Sequence, residues 1–214
     1  LSYQYLMGQL LRLTPRATSR VVMAHLGNGS SLCAAHGGKS AATTMGFSAL
    51  DGLMMGTRSG SLDAGVLLHL MEQGWDHDRI QTLLYKQSGL LGVSGLTADM
   101  RRLRASELPA AREAIAMYTH RVVRETGALT ACLGGLDVLA FTGGIGEHDA
   151  ALRADVAQRL SYLGVTLNPA ANYRATGNDT MCISAEGSTV QVWVIPTDEG
   201  RVAAQEAMAV LQAA

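Results

Sequence analysis

A chain of 214 residues with 48% hydrophobic and 16% charged side chains is long enough to bury a proper core and too apolar to stay disordered. Seventeen Lys and Arg against 18 Asp and Glu leave a formal net charge of −1, so no global field draws in nucleic acid or anionic lipid. Cys33, Cys132 and Cys182 stand far apart without CxxC spacing, which argues against a disulfide framework or a zinc site and for the cytoplasm. No apolar run approaches the roughly 18 residues of a membrane span, and the first residues lack the order of a signal peptide. The chain begins with Leu1, not Met, and is expected to be a piece of something longer.

The first strand signals are VVMAHL (21–26), SSLCAAH (30–36) and KSAATT (39–44), joined by GNG and by Gly37-Gly38, and they predict a three-stranded meander. MGFSALDGLMMGTRSG (45–60) has no period and reads as a structured loop. A helix is expected over 62–73, stopped by Gly74, and another from Asp76, a good capping residue, with Ile80, Leu83 and Leu84 on one face. The Gly-rich stretch 89–101 reads as loop. Ile115, Tyr118, Val122, Leu129 and Leu133 then mark one stripe of a long helix over 109–133, ended by Gly134 and Gly135. DVLAFT (137–142) is a short buried strand, followed by GGIGEH and a helix whose Leu152, Val156, Leu160 and Leu163 share a face, with Gly164 closing it. VQVWVIP (190–196) is a last strand, and 198–212 a closing helix. A meander followed by helix–strand–helix–strand–helix predicts one compact α/β domain, a mixed sheet flanked by helices, with a helix-rich insertion around 62–134.

Two glycine-rich stretches are candidates for chemistry. HLGNGSS (25–31) suits a tight turn with positive φ, and equally a bare backbone that meets a phosphate with its N–H groups. FTGGIGEH (141–148) sits where a buried strand passes into a helix, a favoured place for an anionic group, although close packing alone would also ask for its glycines. Arg58, among Met and Gly, carries a permanent charge and a fork that matches phosphate; it reads either as a ligand group or as an arginine capping loop carbonyls. Asp51, Asp99, Glu147, Asp198 and Glu199 are the acidic candidates for a metal, and Asp198-Glu199 stand out at the end of a strand, where helix capping is their other role. His25, at a strand end, fits a core histidine or a base. No Ser-His-Asp order and no GxSxG supports a hydrolase nucleophile.

Taken in order, HLGNGSS, MGFSALDGLMMGTRSG, SGLLGVSG, FTGGIGE and VIPTDE resemble the acetate kinases and the related propionate and butyrate kinases across essentially the whole chain. The resemblance implies a ribonuclease-H-like domain of the actin, Hsp70 and sugar-kinase superfamily, and specifically the C-terminal half of an enzyme about twice this length, its N-terminal domain and a GFHG histidine lying before Leu1. It implies ATP or ADP and acetate or another short carboxylate as substrates, Mg²⁺ as cofactor, and a homodimer through this half, for which Met54, Met55 and the Leu67-Leu68-Leu70 helix offer apolar surface. Carried over residue by residue, HLGNG with His25, Asn28 and Gly29 becomes the β-phosphate turn. Arg58 becomes the catalytic arginine that stabilises the γ-phosphoryl group in flight. Asp99, Met100 and Arg101 stand beside the adenosine, Gly143, Gly144, Ile145 and Gly146 line adenine and ribose, and Glu199 is the magnesium-associated glutamate. Departures are Ala42 for Asp, Thr44 for Ser, Met100 for Phe and His148 for Asn. A non-catalytic nucleotide-binding or dimerisation module of the same fold is the alternative from a different class.

Overall fold

The alternation of apolar residues along β1 (Arg20–Leu26) decides the architecture. Successive strand side chains face opposite ways, so Val22, Ala24 and Leu26 join one core cluster and Val21 and Met23 another. A strand that is apolar on both faces needs cover on both. On one side α1 (Ser2–Leu13) supplies Leu6, Met7 and Leu10; on the other α6 (Pro109–Leu133) supplies Ile115, Tyr118, Val122 and Leu129. This computed structural model describes residues 1–198 and Met208, so the expected closing helix lies, apart from Asp198 and Met208, outside the described residues.

The expected meander is present as β1, β2 (Ser30–His36) and β3 (Lys39–Thr43), all antiparallel. β4 (Val138–Thr142) then pairs parallel with β1, and β6 (Gln191–Val194) parallel with β4, with the short β5 (Met181–Cys182) antiparallel on the far edge. The order among the described residues is β3-β2-β1-β4-β6-β5, a mixed sheet. Because β1, β4 and β6 run the same way, Leu26, Thr142 and Val194 end at one edge. Arg20 ties that arrangement together from the other edge: its Nε and Nη2 donate to the two Asp137 carboxylate oxygens, both at 2.8 Å, and Nη1 donates to Gly134 O.

Between β3 and β4 come α2 (Ala64–Glu72), capped by Asp63, α3 (His77–Lys86), capped by Asp76 as expected, and α6, which ends on Gly134 in the left-handed conformation. The stretch 89–101 is not plain loop. It holds α4 (Gly89–Ser94) and the start of α5 (Met100–Arg104), whose first turn is capped by Asp99. Helices of six and five residues are too short to print a period, and their buried apolar residues are just Leu90 in the first and Met100 and Leu103 in the second. The glycine run GGIGEH is itself a short helix, α7 (Gly143–His148), followed by α8 (Ala150–Arg159) with Asp149 as cap. α1 and α9 (Pro169–Arg174) were not expected from the sequence; α1 opens on Leu1 with no side-chain cap.

Candidate active site

The turn between β1 and β2 is built differently from the expected primed hairpin. None of Gly27, Asn28 or Gly29 takes a left-handed φ. Their bareness serves close approach: a β-carbon on Gly27 would stand 3.4 Å from Gly29 O and 3.8 Å from Gly144 N, and Gly27 N already donates to Gly29 O at 3.0 Å. The turn therefore lies directly against the glycine run that follows β4, at the edge where the parallel strands end.

Arg58 meets the same place from a third segment. Its loop is clamped by backbone hydrogen bonds: Gly56 N donates to Asn28 O, Met55 N to Arg58 O, Ser59 N to Leu84 O and Ser88 N to Thr57 O. Gly89, with φ of +63°, lets α4 begin so tightly against this loop that a β-carbon there would fall 2.2 Å from Met55 O. The guanidinium itself is lightly used. Nη1 donates to Ala49 O at 3.1 Å and points at Met55 Sδ at 3.6 Å, and among the described residues Arg58 enters no ion pair.

Together these segments wall a hollow of about 590 Å³ whose lining includes His25, Asn28, Gly29, Arg58, Gly143 and Gly144. A second hollow of about 1020 Å³ opens beside it, sharing Gly27, Asn28 and Gly144 and walled by Asp99, Met100, Arg101, Ile145, His148 and Asp149. Asp99 accepts from Arg101 N at 2.9 Å and from Arg101 Nη2 at 2.9 Å, and these hydrogen bonds hold its carboxyl below the usual carboxylate range. Arg104 Nε reaches Asp149 across the second hollow at 3.1 Å. Two expectations change here. Gly146 lines neither hollow, since the space at its α-carbon faces Leu26, Phe141 and Ala24, and the Gly143 amide is already spent on Glu147.

That glutamate has a role its place in the sequence did not suggest. Glu147 is buried, and its Oε1 accepts from Gly143 N at 2.8 Å, Thr197 N at 3.1 Å, Thr197 Oγ1 at 3.0 Å and Thr142 Oγ1 at 3.1 Å. It staples the end of β4 to the segment leaving β6. Behind it Arg153, fully buried, spends all five N–H groups on Asn172 Oδ1 and on the carbonyls of Gly146, Glu147, Asn172 and Ala175. Desolvation pushes its pKa down to about 10. Asp51 lines neither hollow; its carboxylate accepts from Ser61 Oγ and Gly52 N, both at 2.7 Å. Glu199 lies outside the described residues. Among those described, no three His, Cys, Asp or Glu converge on a metal position, and Glu147 is saturated on one oxygen.

A meander leading into parallel strands, with glycine-rich connections and a lightly bonded guanidinium gathered at their carboxyl ends, defines an α/β domain of the ribonuclease-H-like type that actin, Hsp70 and the sugar kinases share. The chain belongs to the acetokinase family, whose model matches residues 1–205. Among its relatives, the acetate kinase of Rhodopseudomonas palustris strain TIE-1 is 54% identical over 202 residues, 93% of this chain and 50% of that protein. The crystal structure of Porphyromonas gingivalis acetate kinase superposes with a TM-score of 0.92 at 36% identity, over 98% of this chain and 54% of that one. A propionate kinase from Francisella tularensis superposes at 0.84 with 37% identity, over 92% of this chain and 51% of that one. The chain thus spans about half the length of the curated relatives it matches.

Proposed function

We propose that this chain is the nucleotide-binding C-terminal half of an acetate kinase, which moves the γ-phosphoryl group of ATP in line onto acetate to give acetyl phosphate and ADP. The observation that carries this reading is the meeting of Asn28, Gly29, Gly144 and Arg58, which enters no ion pair among the described residues, around one hollow that continues into a larger one. A polyphosphate tail fits the first, and a nucleoside the second, between Asp99–Arg101 on one wall and Gly144–Ile145 on the other. Gly27 N is used within its turn, so the amides of Asn28 and Gly29 are the donors assigned to phosphate.

Phosphoryl transfer asks for placement and charge compensation, because the migrating group spreads negative charge over three oxygens. Arg58 supplies that charge as a fork held by a clamped loop. Mg²⁺ carried on the nucleotide would neutralise phosphate charge, and Glu199, the glutamate that the resemblance assigns to it, would stand in its shell. The carboxylate acceptor and closure of the cleft belong to the N-terminal half that the longer relatives carry, and closure there excludes water. Propionate kinase is the second reading, favoured by the Francisella neighbour. A non-catalytic module has no use for a guanidinium left unpaired at the phosphate position. The homodimer we propose uses α2, whose Leu68 and Met71 are 62% and 58% exposed; Met54 and Met55 are buried and take no part in such a surface. The cytoplasm suits free surface thiols at Cys132 and Cys182.

The test is hydroxamate formation from acetate or propionate with MgATP, by the full-length protein and by this chain alone. Acetate-dependent product from the full-length protein and none from the chain alone supports the proposal; product from the isolated chain contradicts the need for a second half.

A further inference from the structure

We infer that Tyr118, buried in α6 and remote in sequence from every glycine-rich stretch, is a positioning residue that sets the β1–β2 turn for phosphate, an inference that rests on the nucleotide reading above. Tyr118 is wholly buried, and its hydroxyl lies 2.8 Å from Ser30 Oγ. Ser30 is itself 4% exposed and stands at the first position of β2, on the wall of the smaller hollow. Its Oγ donates to Gly27 O at 3.0 Å and accepts from Gly27 N at 3.3 Å. A serine hydroxyl has one proton; with that proton given to Gly27 O, the Tyr118 hydroxyl is the donor to Ser30. The relay therefore runs Tyr118 to Ser30 to Gly27: Ser30 Oγ holds Gly27 O and shares Gly27 N with Gly29 O, which accepts from it at 3.0 Å.

The consequence is geometric. Gly27 has neither a left-handed φ nor a side chain to define its conformation, so hydrogen bonding to its two polar atoms must do so. Losing the Tyr118 hydroxyl frees Ser30 Oγ to rotate, and the turn gains alternatives that point the Asn28 and Gly29 amides elsewhere. A buried tyrosine whose hydroxyl served folding alone would lower stability without choosing between substrates.

Tyr118→Phe in the full-length protein tests this, because it removes one oxygen and keeps the ring. Loss of about one hydrogen bond's worth of preorganisation predicts a rise of about three- to tenfold in KM for ATP with KM for acetate unchanged. Ser30→Ala, which breaks the same relay from its other end, should raise KM for ATP at least as much. Thr126→Val is the control: it removes another buried hydroxyl of α6, bonded within its own helix to Val122 O, and should lower Tm while leaving KM for ATP within twofold. If both Tyr118→Phe and Ser30→Ala keep KM for ATP within twofold of wild type, or raise both KM values alike, the positioning role is overturned and the kinase reading stands. If the wild-type protein shows no carboxylate-dependent use of ATP, both fall.

Discussion

Arg58 and Gly29 face each other across the smaller hollow, with the guanidinium Nη1 3.6 Å from the place a β-carbon on Gly29 would occupy. That separation is ordinary contact, and Gly29 has no left-handed φ, so the fold accepts an alanine there. The site does not. A methyl group would take the space between the turn amide and the arginine fork, where the proposed nucleotide would put its phosphate oxygens. Gly29→Ala is expected to leave stability within about 0.5 kcal/mol, as for a position without strain. KM for ATP should rise at least about tenfold, since a lost charge-assisted hydrogen bond contributes about 1.5–3 kcal/mol. Thermal unfolding and steady-state kinetics together check it.

Removing the guanidinium separates binding from chemistry. Among the described residues Arg58 donates to one carbonyl and one sulfur, both through Nη1, and it lines the hollow with the rest of its hydrogen-bonding capacity in hand. Arg58→Ala in the full-length protein is expected to lower kcat by about 10²–10³, the usual effect of losing a preorganised donor to transition-state charge. Arg58→Lys keeps the charge but not the planar fork and should recover only part of that. A variant retaining more than half of wild-type turnover would take Arg58 out of the catalytic role.

Glu147 makes a prediction about stability. Its Oε1 gathers two amides and two hydroxyls from Thr142, Gly143 and Thr197. Glu147→Ala leaves the two hydroxyls to bond each other at 2.8 Å but strands the Gly143 and Thr197 amides, and an orphaned buried polar group costs about 1–3 kcal/mol. Allowing for water entry, a loss of about 3 kcal/mol is expected on urea unfolding. Glu147→Gln, which keeps one carbonyl oxygen for the amides, should lose less than half of that.

What the sequence made legible follows from what a local pattern can hold. The meander, the Asp76 cap and the long helix ending on Gly134 each depend on residues a few positions apart, and all are present. The GNG turn was legible as a bare loop but not for its φ values, because Gly144, against which it packs, opens the helix after a strand more than a hundred residues later. Met54 and Met55 looked like surface because an aperiodic stretch gives no face; the clamp on the Arg58 loop turns them inward. Glu147 read as one acid among five, since Thr197, its partner, is 50 residues away and meets it only when β6 pairs with β4.

The pairing of Arg20 with Asp137 gives an acid-side prediction with a definite sign. Hydrogen bonds from the Arg20 guanidinium, together with its charge, hold the Asp137 carboxyl below its ordinary value of 3.8. A group whose folded pKa is depressed contributes stability above its unfolded pKa and loses it as pH falls through the folded one. Asp137→Asn should therefore lower Tm at pH 7, where the wild-type carboxylate is charged and paired. As pH falls below about 3.8 the wild type loses that contribution and the variant has none to lose, so the two Tm values should converge. The pair is partly exposed, at 37% and 25% for the two side chains, so the gap at pH 7 should also shrink with added salt. Thermal melts of both proteins from pH 7 down to pH 3, at low and high salt, read both trends; a Tm gap that widens on acidification would show that Asp137 does not act through this charge pair.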